Sequence, residues 1–147
     1  MYQKILVPTD GSTLSKKAVK SALEQAAATG AEVVALYVVP RYPIAYFEGG
    51  SSVSDSEVAR VEKQWSDKGQ AVIDQVKKTA QAAGVKVTGV LANSDLVAES
   101  VIATAKKHKC DLIVMASHGR KGIKRLLLGS ETQHVLTHST LPVLVLR

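Results

Sequence analysis

Four uninterrupted apolar runs constrain this chain most: Ile5–Val7, Val33–Val39, Leu112–Met115 and Val143–Leu146. A strand with one wet face alternates apolar and polar residues. A continuous run suits a strand buried on both faces of a parallel sheet. A fifth stretch, Val85–Leu91, does alternate and reads as an edge strand with one wetter face. Helical periodicity fills the gaps. Residues 13–29 carry Leu14, Ala18, Ala22, Leu23 and Ala26 on one stripe and stop at Gly30. Residues 55–83 carry Val58, Val61, Trp65, Val72, Val76 and Ala80 and stop at Gly84. Residues 96–108 carry Val97, Val101, Ile102 and Ala105, and Ser130 opens a last helix with Val135 and Leu136 inward. Strands and helices therefore alternate from end to end. The expected fold is α/β: a doubly wound, five-stranded parallel sheet with right-handed crossovers and helices on both faces. A length of 147 residues fits one domain, 1–147, large enough to bury a core without metals or disulfides.

Composition narrows the function classes. No apolar run approaches the ~18 residues of a membrane span, and the opening MYQKILVPTDG is too weakly apolar for a secretory leader. The single cysteine, Cys110, excludes an internal disulfide framework. The expected compartment is the cytoplasm. Nineteen Lys and Arg against thirteen Asp and Glu give +6, a bias toward anionic partners. Aromatic residues at 4% argue against a base-stacking platform. No helix-turn-helix, RRM or KH pattern is present, so nucleic acid is not an expected partner.

Three segments carry the candidate chemistry. Residues 40–54, PRYPIAYFEGGSSVS, form a connection longer than usual. It leaves the carboxyl edge of the sheet, where open α/β sheets bind ligands, and reads either as a lid or as a surface excursion. The first strand runs into Pro8-Thr9-Asp10-Gly11-Ser12, where Pro8 is expected to stop the ladder and Gly11 to permit a tight turn. Asp10 stands at the strand's carboxyl end, with Ser12 or Thr13 capping the next helix. The fourth strand runs into Met115-Ala116-Ser117-His118-Gly119-Arg120, then a basic, glycine-bearing stretch reaching Gly129-Ser130. Glycines let backbone N–H groups approach an anion, and a helix start adds a positive end. Neither GxxxxGK[S/T] nor a GxGxxG after the first strand occurs, which removes the Walker and ordinary dinucleotide readings.

At these residues the chain resembles the universal stress protein family, its ATP-binding branch in particular. The resemblance runs the whole length, through ILVPTDGS, DLIVMASHGR, LLLGS and the closing LPVLVLR. The family's nucleotide motif is Gly, two residues, Gly, nine residues, then Gly-Ser or Gly-Thr. Only six residues separate Gly122 from Gly129, so Gly119 and Gly122 are not the first pair. Counting back nine from Gly129-Ser130 gives Gly119, and two further back stands Ala116 in place of the motif's first glycine. A second departure is Asn93-Ser94-Asp95, where relatives commonly carry a glycine. The resemblance implies a sheet of order 3-2-1-4-5 in the adenine nucleotide alpha-hydrolase-like arrangement. It also implies a site for ATP, or ADP or AMP, with Mg²⁺. Pro8, Thr9 and Asp10 would meet the adenosine, the Val38 backbone would read the adenine edge, and Met115 and Ala116 would line the ribose. Gly119, Arg120, Gly129 and Ser130 would hold the phosphates, with first-turn N–H groups from Glu131 and Thr132. Family members commonly pair the last strand with its copy, so residues 142–146 are expected to form an antiparallel homodimer contact.

The remaining reactive residues read more plainly. His118 either touches a phosphate or is a loop residue satisfied locally. His134 and His138 have i,i+4 spacing but no evident third metal ligand. Cys110 reads as a packing residue and Trp65 as core or interface. Arg120, Lys121, Lys124 and Arg125 read as a phosphate-neutralising rim or a solvated basic loop. No nucleophile elbow and no paired carboxylates stand near the glycine turn. The expected function is thus a nucleotide-dependent stress-response switch with at most slow ATP hydrolysis and an unknown protein partner. The alternative is a nucleotide-independent, chaperone-like dimer.

Overall fold

The computed structural model describes residues 1–43, 54–119 and 128–147. Its elements run β1 (Lys4–Pro8), α1 (Thr13–Thr29), β2 (Glu32–Val39), α2 (Asp55–Ala82), β3 (Val87–Asn93), α3 (Val97–Lys107), β4 (Leu112–Ala116), α4 (Ser130–His138) and β5 (Val143–Leu146). They form one five-stranded sheet of order β3-β2-β1-β4-β5 with every pairing parallel. The lid segment and the basic cluster fall largely outside the described residues, as does Arg120.

Strand alternation sorts the core into two layers. Ile5, Val7, Val33, Ala35, Tyr37, Leu112 and Val114 face α1 and α2. Leu6, Val34, Leu36, Ile113 and Met115 face α3 and α4. Two glycines set how closely α2 lies on the sheet. A Cβ on Gly69 would stand 2.6 Å from the Tyr37 ring, and one on Gly89 of β3 would stand 2.4 Å from Ile73. Neither glycine has a positive φ; both are there because the space is taken.

Four expectations need correction. β3 starts two residues later than the alternating pattern, at Val87, with Val85 buried ahead of it. β5 ends the sheet, where the expected order puts it, and its apolar run is not buried on both faces: Leu144 is 40% exposed. Leu136 does not point inward; α4 is narrow enough that Val135 and Thr132 fill its buried side. The N-terminal turns of α2 are only half-buried at Val58 and Val61, because that helix packs through Gly69, Ile73, Val76 and Ala80.

Candidate nucleotide site

The sheet parts where its strand order reverses. β1 pairs with β4 only at Ile5–Leu112 and Leu6–Ile113, yet with β2 through Pro8–Leu36. The Thr9 N–H donates to the Leu36 carbonyl at 2.8 Å. Since successive residues of a strand direct their N–H groups to opposite neighbours, position 8 is the one that would donate toward β4. Proline has no hydrogen there. Pro8 therefore stops the ladder on the β4 side alone, a finer result than the full stop expected from the sequence. Beyond that rung β4 stays paired with β5, through Ala116–Leu146 and a 2.7 Å bond from the Ser117 N–H to the Leu146 carbonyl. The two strands thus part at the switch point, the place where open α/β sheets bind ligands.

The turn leaving β1 is held by hydroxyls. The Gly11 N–H donates to Thr9 Oγ1 at 3.3 Å, the Thr9 and Ser15 hydroxyls are 3.1 Å apart, and Ser15 Oγ donates to the Ser12 carbonyl at 2.9 Å. Asp10 Oδ1 accepts the Ser12 N–H at 2.9 Å, and Ser12 caps α1. Gly11 supplies the positive φ, 79°, that the turn requires. The buried Ser15 went unnoticed in the sequence, since a serine inside a helical stripe carries no local signal of its partner.

Opposite stands the start of α4. Its cap, Gly129, offers no side chain, and the first closed turn is the Gln133 N–H on the Gly129 carbonyl at 3.0 Å. The N–H groups of Ser130, Glu131 and Thr132 precede that turn, the position at which helices attract anions. Among the described residues, three bonds tie this turn to β4 and α3. The Gly129 N–H donates to the Ser117 carbonyl at 2.8 Å, and Thr132 Oγ1 donates to the Ala116 carbonyl at 2.9 Å. Glu131 Oε2 accepts the Ala98 N–H of α3 at 2.9 Å.

Both motif glycines have partners inside the protein. A Cβ on Gly119 would lie 2.8 Å from Asp10 Oδ2, so this glycine admits the carboxylate. A Cβ on Gly129 would lie 3.1 Å from the Ser117 carbonyl and 3.2 Å from the His118 Cα. Ala116, which replaces the first glycine, ends β4 in extended conformation without positive φ, so alanine is unstrained there. On β2, the Val38 N–H and C=O share the parity of Leu36 and face the side β1 has left. Val38 and Met115 belong to the same α3/α4-facing layer, and Pro8 shares that face by alternation.

The other reactive residues have local partners. His118 Nδ1 lies 3.2 Å from the Ser117 hydroxyl. His134 and His138 stack at 4.2 Å, and among the described residues no group of three His, Cys, Asp or Glu is placed to hold a metal. Cys110 is buried, which pushes its thiol up to about 11 and leaves it unreactive near neutral pH. Trp65 stacks on Tyr42, ring centroids 6.1 Å apart, at the root of the 40–54 connection.

The chain as a whole is similar to known proteins. The whole chain, residues 1–147, matches the universal stress protein family. It is 37% identical to the universal stress protein MJ0531 of Methanocaldococcus jannaschii, over all of this chain and 83% of that one. The solved structure of MJ0577 from the same organism superposes with a TM-score of 0.81 at 27% identity, covering 99% of this chain and 96% of that one. A universal stress protein solved in complex with cAMP gives 0.72 at 25% identity, covering 99% and 97%. The family match runs along the full length and the fold superposes on solved members over nearly all of the chain, so the chain belongs to the universal stress protein family.

Proposed function

We propose that this protein binds an adenine nucleotide in the cleft between β1 and β4 and works as a nucleotide-dependent switch. ATP is the expected ligand, with ADP or AMP as its lower-phosphate forms. The observation that carries the reading is the parting of β1 from β4 directly before the uncapped start of α4. The Val38 main chain suits an adenine edge, and Pro8, Thr9 and Asp10 suit the adenosine. Met115 and Ala116 form the floor for a ribose. Gly119, Gly129 and the N–H groups of Ser130, Glu131 and Thr132 suit the phosphates, with Arg120 adjoining in sequence. Mg²⁺ would be held by phosphate oxygens and water, with Asp10 at most as a protein ligand. No group among the described residues is placed to activate a water, so turnover is expected to be slow.

The similarity to a relative solved with cAMP supports an adenine-type ligand. Within the same reading, the protein is cytoplasmic, single-domain and a homodimer joined through residues 142–146. Among the described residues, no helix is long and apolar enough to cross a membrane. Support for the dimer is β5, which is hydrogen-bonded on one side only and exposes Leu144 at the sheet edge. Light scattering at micromolar concentration should give twice the chain mass, and a monomer would remove that part of the proposal.

The nucleotide reading is tested by thermal unfolding with and without Mg·ATP, with ADP and GTP alongside. Ligand at about 100 times its dissociation constant adds about 2.7 kcal/mol, which for a chain of this size raises the midpoint by roughly 5–10 °C. Gly129→Val is a poor control, because its side chain would strike the Ser117–His118 backbone. Ser130→Pro is cleaner. Proline at the first helical position removes one N–H donor and leaves the helix intact, and Gly129 before it already has the extended φ −61°, ψ 150° that proline prefers. The shift should shrink in Ser130→Pro while the unliganded midpoint holds. No shift with any nucleotide, in protein freed of carried-over ligand, would leave the nucleotide-independent dimer as the reading.

A further inference from the structure

The N-terminus of α3 lacks a cap of its own. Its cap position is Leu96, which makes no side-chain hydrogen bond, and is 57% exposed. The Ala98 N–H, one of the donors that a helix start leaves unpaired, is satisfied instead by Glu131 Oε2 from α4, at 2.9 Å and 33 residues away in sequence. Glu131 thus belongs to one helix and caps another. Its carboxylate is drawn toward α3, away from the N–H groups of its own first turn. Among the described residues, the bonds that tie that turn to the sheet, from Gly129 and Thr132, both reach the end of β4. Two anchors on one strand do not by themselves set the angle of the first turn about that strand; a third anchor on a different element does.

We infer that Glu131 is a positioning residue: through its bond to the Ala98 N–H it fixes the direction of the first α4 amides, so that binding of the phosphate chain, but not of the adenosine portion, depends on it. The inference rests on the nucleotide reading above for its ligand, and on the α3–α4 bond for its mechanism. Glutamate suits this task better than a residue capping α4 itself. A carboxylate turned onto its own helix start would compete with an anionic ligand for the same amides. Here the negative charge is spent on α3.

The experiment compares wild type, Glu131→Ala, Glu131→Gln and the double variant Glu131→Ala with Leu96→Asp. Calorimetric titration is run with ATP and with adenosine, and hydrogen exchange is followed in the segments covering α3 and α4 without ligand. Loss of one cap-type bond should weaken ATP by about tenfold in Glu131→Ala and leave adenosine within about twofold. Exchange should rise in both helices. Glutamine still offers an acceptor oxygen, so Glu131→Gln should keep ATP within about threefold of wild type. Aspartate at position 96 gives α3 a cap of its own. The double variant should therefore recover protection in α3 but neither protection in α4 nor ATP affinity. Equal losses of ATP and adenosine would overturn the inference, as would ATP binding restored by Leu96→Asp or unchanged α4 exchange in Glu131→Ala. If wild type bound neither ligand, the nucleotide reading would fall by itself, and exchange in α4 would still decide what Glu131 does.

Discussion

The two ends of the sheet handle their polar groups in opposite ways. At the amino end, the Asp111 carboxylate accepts the N–H groups of Gln3 at 2.8 Å and Lys4 at 3.0 Å, and its own N–H donates to the Lys4 carbonyl at 2.9 Å. Glu32 lies between Lys4, at 3.5 Å, and Lys86, at 3.2 Å. A recess of ≈ 580 Å³ opens there, lined by Tyr2, Lys4, Glu32, Lys109 and Asp111 among others. Its acids are already engaged by the protein, so volume alone does not make it a site. At the carboxyl end the pairing is left incomplete. β1 and β4 part, the Val38 main chain faces the gap, and α4 begins on a glycine. The proposed site is therefore placed by the backbone groups that the parted strands and the helix start present, not by the volume of a hollow.

The contrast can be broken by substitution. The largest effect is expected from Asp111→Ala, which strips two backbone N–H groups of a charged acceptor and should cost about 2–3 kcal/mol in urea unfolding. Asp111→Asn should recover about half of that. Neither should change the fractional response to Mg·ATP; a changed response would mean that the two ends are coupled. Gly129→Ala should cost less, about 1 kcal/mol, since its Cβ meets the Ser117 carbonyl at 3.1 Å and the neighbours must give by a few tenths of an ångström. Its nucleotide response should nevertheless weaken, because the start of α4 shifts. A loss of stability without loss of response would argue that this contact is structural only.

Two pH effects are smaller. Burial raises the Cys110 thiol from 9.0 to about 11, so the unfolded chain releases this proton first as pH rises. The stability that the thiol contributes is present below pH 9 and lost between there and 11. Cys110→Ala should flatten that limb of a midpoint-against-pH curve. At the acid end, Lys86 first and then Lys4 hold the Glu32 carboxyl below its ordinary 4.5. Its contribution is present above that value and fades as pH falls through the lowered one. Because Glu32 is partly exposed, Glu32→Gln should alter only the acid limb, weakly, and the difference should vanish in high salt.

Much of this architecture is written along the chain. Continuous runs such as Val33–Val39 mark central strands because both faces are covered, and Gly30, at φ 76°, ends α1 where its position suggests. The misreadings fall where local pattern and burial separate. Val143–Leu146 has the composition of a strand covered on both faces yet lies partly exposed at the edge, and Leu136 is apolar without being covered. In the candidate site, the stretch from Ala116 to Gly119 and on to Gly129-Ser130 stands out through its family resemblance. It does not say that Gly119 admits the Asp10 carboxylate or that Gly129 clears the Ser117 backbone.

Sequence by itself determined the order of elements, the layers they pack into and the stretches where turns and helix starts fall, because hydrophobic period, proline and glycine act within a few residues. Tertiary structure alone decided that Pro8 releases β4 while keeping β2. It also decided that Thr132 ties α4 to the end of β4, and that Glu131 caps a helix 33 residues away. Those are pairings between backbone groups distant in the chain, and a donor's partner is settled by what the completed fold brings within three ångströms of it.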